Sequence, residues 1–258
     1  MKNPIGLFDS GVGGISILEK LKQLLPNENF IYLADNQNCP YGSKSKKEII
    51  SLSKKNCEKL IELNCKIIII ACNTSTTNSI KKLREIIAIP IIGIEPALKP
   101  AIHYTKTKNI GILATKKTLG SELFFETLNQ NRIDDIHIHE QIDYELVNLI
   151  EEGSHSKQNL YKILEKYLVP MINKKIDCLL LGCTHYNHIK DIIEEIIPVD
   201  IEIVDTIAPV NKRVLNILKS NNILNKSTNK RTIKIFYNGK KLSDNYLNQE
   251  YDLRYLEF

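Results

Sequence analysis

Two pairs of matching segments recur in the same order along the chain, and they constrain its fold more than any other feature. Ile5-Gly6-Leu7-Phe8-Asp9-Ser10 is echoed by Ile110-Gly111-Ile112-Leu113-Ala114-Thr115. Ile68-Ile69-Ile70-Ala71-Cys72-Asn73-Thr74 is echoed by Leu179-Leu180-Leu181-Gly182-Cys183-Thr184-His185. Cys72 lies 63 residues after Asp9, and Cys183 lies 68 after Thr115. Chance could produce one such match. Two in the same order at similar spacing predict two related halves.

Each echoed segment is a continuous apolar run that ends in polar residues. Such runs suit parallel strands covered on both faces by helices. Strands are predicted at 4–8, 30–34, 66–71, 89–94, 109–114, 178–181 and 201–204. Helices are predicted at 14–25, 46–63, 77–87, 120–130, 143–152, 157–173, 187–196 and 208–220. The alternation is that of an α/β protein. The halves should meet near residues 95–100, where Pro96 and Pro100 follow a strand. The expected division is 1–96 with 208–258 against 97–207.

Composition narrows the class. Hydrophobic residues make up 43% of the 258 and charged residues 25%, both ordinary for a globular protein. The net charge is +5, but the lysines are scattered and no compact basic block precedes 226–241, so a nucleic-acid partner is not indicated. The opening Met1-Lys2-Asn3-Pro4 leads straight into Ile5-Gly6-Leu7-Phe8, too short for a secretory apolar region. The apolar stretch 67–72 cannot span a bilayer. A soluble, cytoplasmic chain without a membrane partner is expected. In that reducing compartment disulfides are not expected among the six cysteines. There is no Cys-x-x-Cys pair, so no metal is expected.

Cys72 and Cys183 each fall just past the C-terminal end of a predicted parallel strand, where open α/β sheets bind ligands. A helix start after each would favour an anion and lower a thiol pKa. A lone cysteine there reads as core filling; a matched pair flanked by Thr, Asn and His reads as function. His185 can tune Cys183 or exchange protons with it, or it is a surface residue at a helix start. Asp9-Ser10-Gly11-Val12-Gly13-Gly14 is a glycine-rich turn whose spacing is not G-x-G-x-x-G, because Ser16 fills the last glycine place. Asp9 would repel phosphate, so a small charged ligand or a purely structural turn fits better. Pro40-Tyr41-Gly42 forms a rigid loop whose N–H groups can receive a carboxylate. Cys39 reads as a loop residue, and Cys57, Cys65 and Cys178 as core. His103, His137, His139, His155 and His188 read as surface or structural.

Four segments together resemble the aspartate/glutamate racemase family: Phe8 to Gly14, Ala34-Asp35-Asn36 through Pro40-Tyr41-Gly42, Ala71-Cys72-Asn73-Thr74-Ser75, and Leu181-Gly182-Cys183-Thr184-His185-Tyr186. The family's order is kept over roughly residues 4–220. The resemblance implies two pseudo-symmetric α/β domains with mostly parallel sheets and the active site between them. It implies cofactor-independent interconversion of L- and D-glutamate, with D-glutamate supplying peptidoglycan synthesis. Cys72 and Cys183 match the two acid/base cysteines, Asp9 the carboxylate near the first and His185 the imidazole near the second. Ser10, Asn73, Thr74 and Thr184 match residues that hold the amino-acid head group, alongside Asp9 and His185. Tyr41 and Gly42 match the loop that receives the side-chain carboxylate. Glu151, or its neighbour Glu152, matches a carboxylate that pairs with the histidine. Two departures stand out: Ile142-Asp143-Tyr144 replaces a common Ala-Cys-Pro, and Asn36 to Cys39 lack the usual Arg.

The chemistry accounts for the residue types. Racemisation removes the proton on Cα and returns one to the opposite face, so a base on each side is the natural solution. A free thiol has a pKa near ~8.5, so the pair must share one proton between them. No lysine is placed as a Schiff base, so no cofactor is expected. Two alternatives stay open: a sister enzyme acting on aspartate, and a non-enzymatic binding or thiol–metal protein. No partner beyond the small-molecule substrate and, at most, further copies of the chain is implied.

Overall fold

Ile67–Ile70 is four consecutive isoleucines without exposed surface, and β-branched side chains of this kind fit a strand packed on both faces. The computed structural model describes residues 3–131, 135–153, 156–204, 206–227 and 231–258; His155 lies outside these. The first half runs β1 (Ile5–Asp9), α1 (Ile15–Leu24), β2 (Phe30–Ala34), α2 (Lys46–Glu62), β3 (Ile67–Ile70), α3 (Asn73–Ile86), β4 (Ile91–Gly93) and α4 (Leu98–Tyr104). The second runs β5 (Asn109–Thr115), α5 (Lys116–Leu119), α6 (Glu122–Gln130), β6 (His137–Asp143), α7 (Leu146–Glu152), α8 (Lys157–Ile172), β7 (Cys178–Gly182), α9 (Lys190–Ile196) and β8 (Glu202–Val204). The chain then returns through α10 (Ile207–Ser220), β9 (Ile233–Tyr237) and β10 (Tyr251–Tyr255).

The strands form two sheets, and every strand pairing among the described residues is parallel. Their orders are β10-β9-β2-β1-β3-β4 and β6-β5-β7-β8. The second sheet therefore repeats the β2-β1-β3-β4 order of the first. The registers repeat too: Gly6 faces Ile68 across β1 and β3, and Gly111 faces Leu179 across β5 and β7. This alignment sets Ser10 against Thr115 and leaves Ala114 where the first half has Asp9. The spacing of 68 residues counted from Thr115 is thus one residue out of register with the 63 counted from Asp9. One apolar cluster joins the halves, running from Leu7 and Ile69 through Leu113 and Leu181 to Val214 on α10.

Several expected elements differ. The helix after Cys72 begins at Asn73, not residue 77. The predicted 120–130 helix stands as α6, which Ser121 caps through its bond from the Phe124 N–H, and the short α5 before it is an additional turn. The helix predicted at 143–152 begins later, as α7 at Leu146, because β6 runs to Asp143; β6, α4, β9 and β10 carry no run long enough to predict. β6 is an edge strand with half-exposed residues, so its polar His137-Ile138-His139-Glu140 sequence is tolerated there.

A buried ion pair fixes how the chain returns to the first sheet. Lys66 Nζ and Glu28 Oε2 are 2.6 Å apart with 2% of either side chain exposed. Lys66 also donates to the Ile223 carbonyl at 2.7 Å, and the Asn225 N–H donates to Glu28 Oε1 at 2.7 Å. These bonds pin the segment after α10 against the residues that lead into β2 and β3. Glu28→Ala would leave a buried ammonium without its carboxylate, and is expected to cost about 3–5 kcal/mol of stability. Urea unfolding checks this; a loss below about 1 kcal/mol, the value of an exposed pair, would contradict it.

Candidate functional site

Adjacent central strands deliver the first group of side chains. Asp9 ends β1 with no exposed surface, and Cys72 follows β3 as the N-cap of α3. The Ser10 N–H donates to Asp9 Oδ1 at 2.6 Å, and Thr184 Oγ1, from the other half, donates to Asp9 Oδ2 at 2.9 Å. Cys72 Sγ accepts from the Ser75 N–H at 3.5 Å and lies 4.0 Å from Ser10 Oγ. The helix start therefore points an N–H at the sulfur.

The second group is served differently. Cys183 follows β7 but is succeeded by a 3₁₀ turn, Thr184–Ile189, before α9 begins. Among the described residues its sulfur makes no capping bond like the one Cys72 receives from Ser75, and both the backbone and the ring that act on it belong to His185. Instead His185 Nδ1 lies 3.6 Å from Cys183 Sγ, and His185 Nε2 lies 2.5 Å from Glu151 Oε1. The carboxylate beside the histidine is thus Glu151 from α7, and Glu152 is exposed. Glu151 Oε1 also accepts from the Val12 N–H at 2.8 Å, and Asn36 Nδ2 donates to Glu151 Oε2 at 3.3 Å. This close approach needs the glycine-rich turn: a Cβ on Gly11 would stand 1.8 Å from Glu151 Oε1, and one on Gly13 would stand 2.6 Å from His185 Nδ1.

Of the other residues expected at the site, Thr74 and Gly42 meet Thr115 across the seam between the halves, and Asn73 and Tyr41 bond within the first half. Thr74 Oγ1 lies 2.9 Å from Thr115 Oγ1 and 3.2 Å from Thr118 Oγ1. Asn73 Nδ2 donates to the Ile94 carbonyl at 3.4 Å, while its buried Oδ1 has no hydrogen-bond partner among the described residues. Tyr41 packs against Cys72 and donates its hydroxyl to Asp35, so that hydroxyl is already committed. Gly42 abuts Thr115, since a Cβ there would meet Thr115 Cβ at 2.9 Å. Sequence reading missed Asn36, Thr115 and Thr118 as site neighbours. Cys39, read as a loop residue, lies beside His185 and Glu151, and His188, read as surface or structural, has its Nε2 3.0 Å from the Val12 carbonyl. His188 stands three residues after His185, a spacing that one helical turn brings to the same side.

Burial dominates the electrostatics. It pushes both thiols up, Cys72 well above the ordinary range, with Asp9 and then Cys183 adding to the rise and only the Ser75 N–H and the His185 charge opposing it. Cys183 is raised by burial too, but the His185 imidazole pulls it back. Burial also raises Asp9, against the charge of His185 and the bonds from Thr184 and Ser10. For His185 burial disfavours the charge, yet Cys183, Cys39 and Glu151 outweigh it and hold the imidazole well above its ordinary value. Burial also works against the charge on Glu151, but His185 and the Val12 N–H lower it on balance. His188, half-buried, is pushed down to about 4 by loss of solvent, which outweighs its bond to the Val12 carbonyl, and it stays neutral.

Comparison with known proteins gives a consistent picture. A family model described as Asp/Glu/Hydantoin racemase matches residues 5–210. A glutamate racemase of Herpetosiphon aurantiacus is 38% identical over 236 residues, covering 92% of each chain. Among solved structures, a glutamate racemase isoform from Bacillus anthracis superposes with a TM-score of 0.89 at 27% identity, covering 100% of this chain and 98% of that one. The Francisella tularensis glutamate racemase, solved in complex with D-glutamate, gives 0.85 at 29% identity, with coverages of 99% and 98%.

The His185–Glu151 contact makes a direct prediction. Glu151 helps to raise the imidazole, so His185 should stay protonated above the ordinary histidine range, and Glu151→Gln should move its midpoint down. Gly11→Ala, which pushes Glu151 aside, should shift it the same way. NMR titration of the histidine ring checks both; an unchanged midpoint in Glu151→Gln would contradict the assignment.

Proposed function

The chain belongs to the Asp/Glu/hydantoin racemase family, stands with its glutamate racemases and is an isomerase; from that premise we propose that it interconverts L- and D-glutamate by passing protons through Cys72 and Cys183 on opposite faces of Cα. The observation that carries this reading is the pairing of the two thiols. Each follows the equivalent strand of its half, and each has its own acid/base neighbour, Asp9 for Cys72 and His185 for Cys183.

In the proposed sequence the Cys72 thiolate takes the Cα proton of D-glutamate. The Cys183 thiol then delivers a proton to the other face, which yields L-glutamate, a Cys72 thiol and a Cys183 thiolate. The reverse direction exchanges the two roles. Asp9 assists proton transfer at Cys72. His185, held by Glu151, stabilises the Cys183 thiolate, and charge-assisted contacts of this kind suit a site closed to water. Asn73, whose buried Oδ1 lacks a partner among the described residues, receives the substrate ammonium with Ser10, Thr74 and Thr184 around the head group. The N–H groups of Tyr41 and Gly42 receive the side-chain carboxylate, since the Tyr41 hydroxyl is bonded to Asp35. Thiols raised by burial are protonated in the free site. Activation therefore belongs to the closed complex with substrate, where water is excluded and charges are matched.

No pyridoxal phosphate, nucleotide or metal is required on this reading. D-Glutamate supplies peptidoglycan synthesis, and the enzyme works in the cytoplasm. The half-and-half division at 1–96 with 208–258 against 97–207 gives two bodies that close on the substrate.

Purified protein is expected to racemise both enantiomers of glutamate without added cofactor, and activity confined to aspartate would defeat the substrate assignment. Cys72→Ala and Cys183→Ala should each lower racemisation by about 10³-fold or more, at least the middle of the range for a general acid or base. A glutamate analogue with a leaving group on Cβ separates the faces, because elimination needs one base only. Cys72→Ala should eliminate only from the L analogue and Cys183→Ala only from the D analogue. The reverse pattern would show the faces to be exchanged.

A further inference from the structure

Three side chains able to ligate a metal meet beside Cys183. The Cys39 sulfur, an imidazole nitrogen of His185 and a Glu151 carboxylate oxygen all lie within 4.8 Å of one another. They come from separate places in the chain: the loop after β2, the turn after β7, and α7. Neighbouring bonds hold two of them in place. The Cys39 N–H donates to the Asn36 carbonyl at 3.3 Å, and Asn36 Nδ2 donates to Glu151 Oε2 at 3.3 Å. Proton transfer at Cα leaves Cys39 without a task.

One thiolate, one imidazole and one carboxylate make a donor set suited to zinc-class ions. Zinc bonds of 2.0–2.3 Å in a tetrahedron put donors about 3.4–3.7 Å apart, so the cluster would need to adjust by about 1 Å. Part of that is the opening of the 2.5 Å His185–Glu151 contact. Three protein ligands leave a fourth position for water or a substrate carboxylate.

The charge balance favours the exchange. A divalent ion would displace two protons, one from the Cys39 thiol and one shared by His185 and Glu151, and both would leave to solvent. The Zn–S, Zn–N and Zn–O bonds replace the S–H and N–H bonds, and nothing is oxidised or reduced. The cluster carries the same net charge before and after, so the ion adds no uncompensated charge to a buried site.

We propose that Cys39, Glu151 and His185 form a binding site for a zinc-class divalent cation, and that the bound ion reversibly inhibits the enzyme by taking the place of the proton between His185 and Glu151. The inhibitory part rests on the function proposed above. The binding part does not.

Metal-free protein titrated with Zn²⁺ against a chromogenic chelator tests the site, with Co²⁺ visible spectra reporting a tetrahedral thiolate environment. Binding is expected, and Cys39→Ser should weaken it by about tenfold or more. Zn²⁺ should also protect Cys39 of the unaltered chain from alkylation, read by peptide mass spectrometry, a measurement that needs no variant to fold. Absence of binding would overturn the proposal. So would full affinity in Cys39→Ser with loss in Cys72→Ala, which would mark the catalytic thiols as the ligands. Inhibition of glutamate turnover that a chelator reverses is the expected consequence. Cys39-dependent binding with unaltered turnover would overturn the inhibitory part. Because binding is read without substrate, a protein inactive on glutamate would still decide the site.

Discussion

A carboxylate with no exposed surface ends β1, and the site is arranged around satisfying it. A buried charge is costly unless it is paired and hydrogen-bonded. Asp9 obtains one bond from its own turn, through the Ser10 N–H, and one from the opposite half, through Thr184. The His185 charge supplies the compensating field. Both groups from the second half lie immediately after Cys183. The interaction that keeps Asp9 from being an isolated buried charge therefore also fixes where the second thiol stands relative to the first half. The Thr74–Thr115 bond makes the corresponding crossing in the other direction.

The two halves repeat a topology, but they do not repeat their electrostatics. Cys72 sits at the start of a long helix and has a carboxylate for a neighbour. Cys183 precedes a 3₁₀ turn and has an imidazole held by Glu151. Ala114 stands where the repeat would place a second Asp9. On the proposed mechanism this asymmetry is useful, because two identical environments would leave the shared proton without a preferred resting place. Glycines at 11 and 13 are the local condition for it, since a side chain at either would occupy the space of Glu151 or His185.

Much of this was legible in the sequence where a signal was long and apolar. The buried central strands and both cysteines stand at strand ends as the repeat predicts. Elements whose residues alternate or sit at an edge were not legible: β6 is polar because it is half exposed, and β9 places Lys234 between the buried Ile233 and Ile235. The choice between Glu151 and Glu152 needed the helix phase of α7, which adjacent residues cannot reveal. The turn after Cys183 reads as a helix start because its polar residues suit one equally well. Asn36 and Cys39 carry no local pattern and acquire meaning only because β2 ends beside the His185–Glu151 pair.

The central claim is that different groups serve the two faces of Cα, and the fate of the Cα proton in deuterium oxide tests it most directly. At low conversion from pure L-glutamate, two bases predict D-glutamate carrying deuterium at Cα while unreacted L-glutamate keeps its protium; the same should hold in reverse from D-glutamate. Product that retains protium, or label entering the unreacted enantiomer as fast as product forms, would mean that one group serves both faces and would contradict the account.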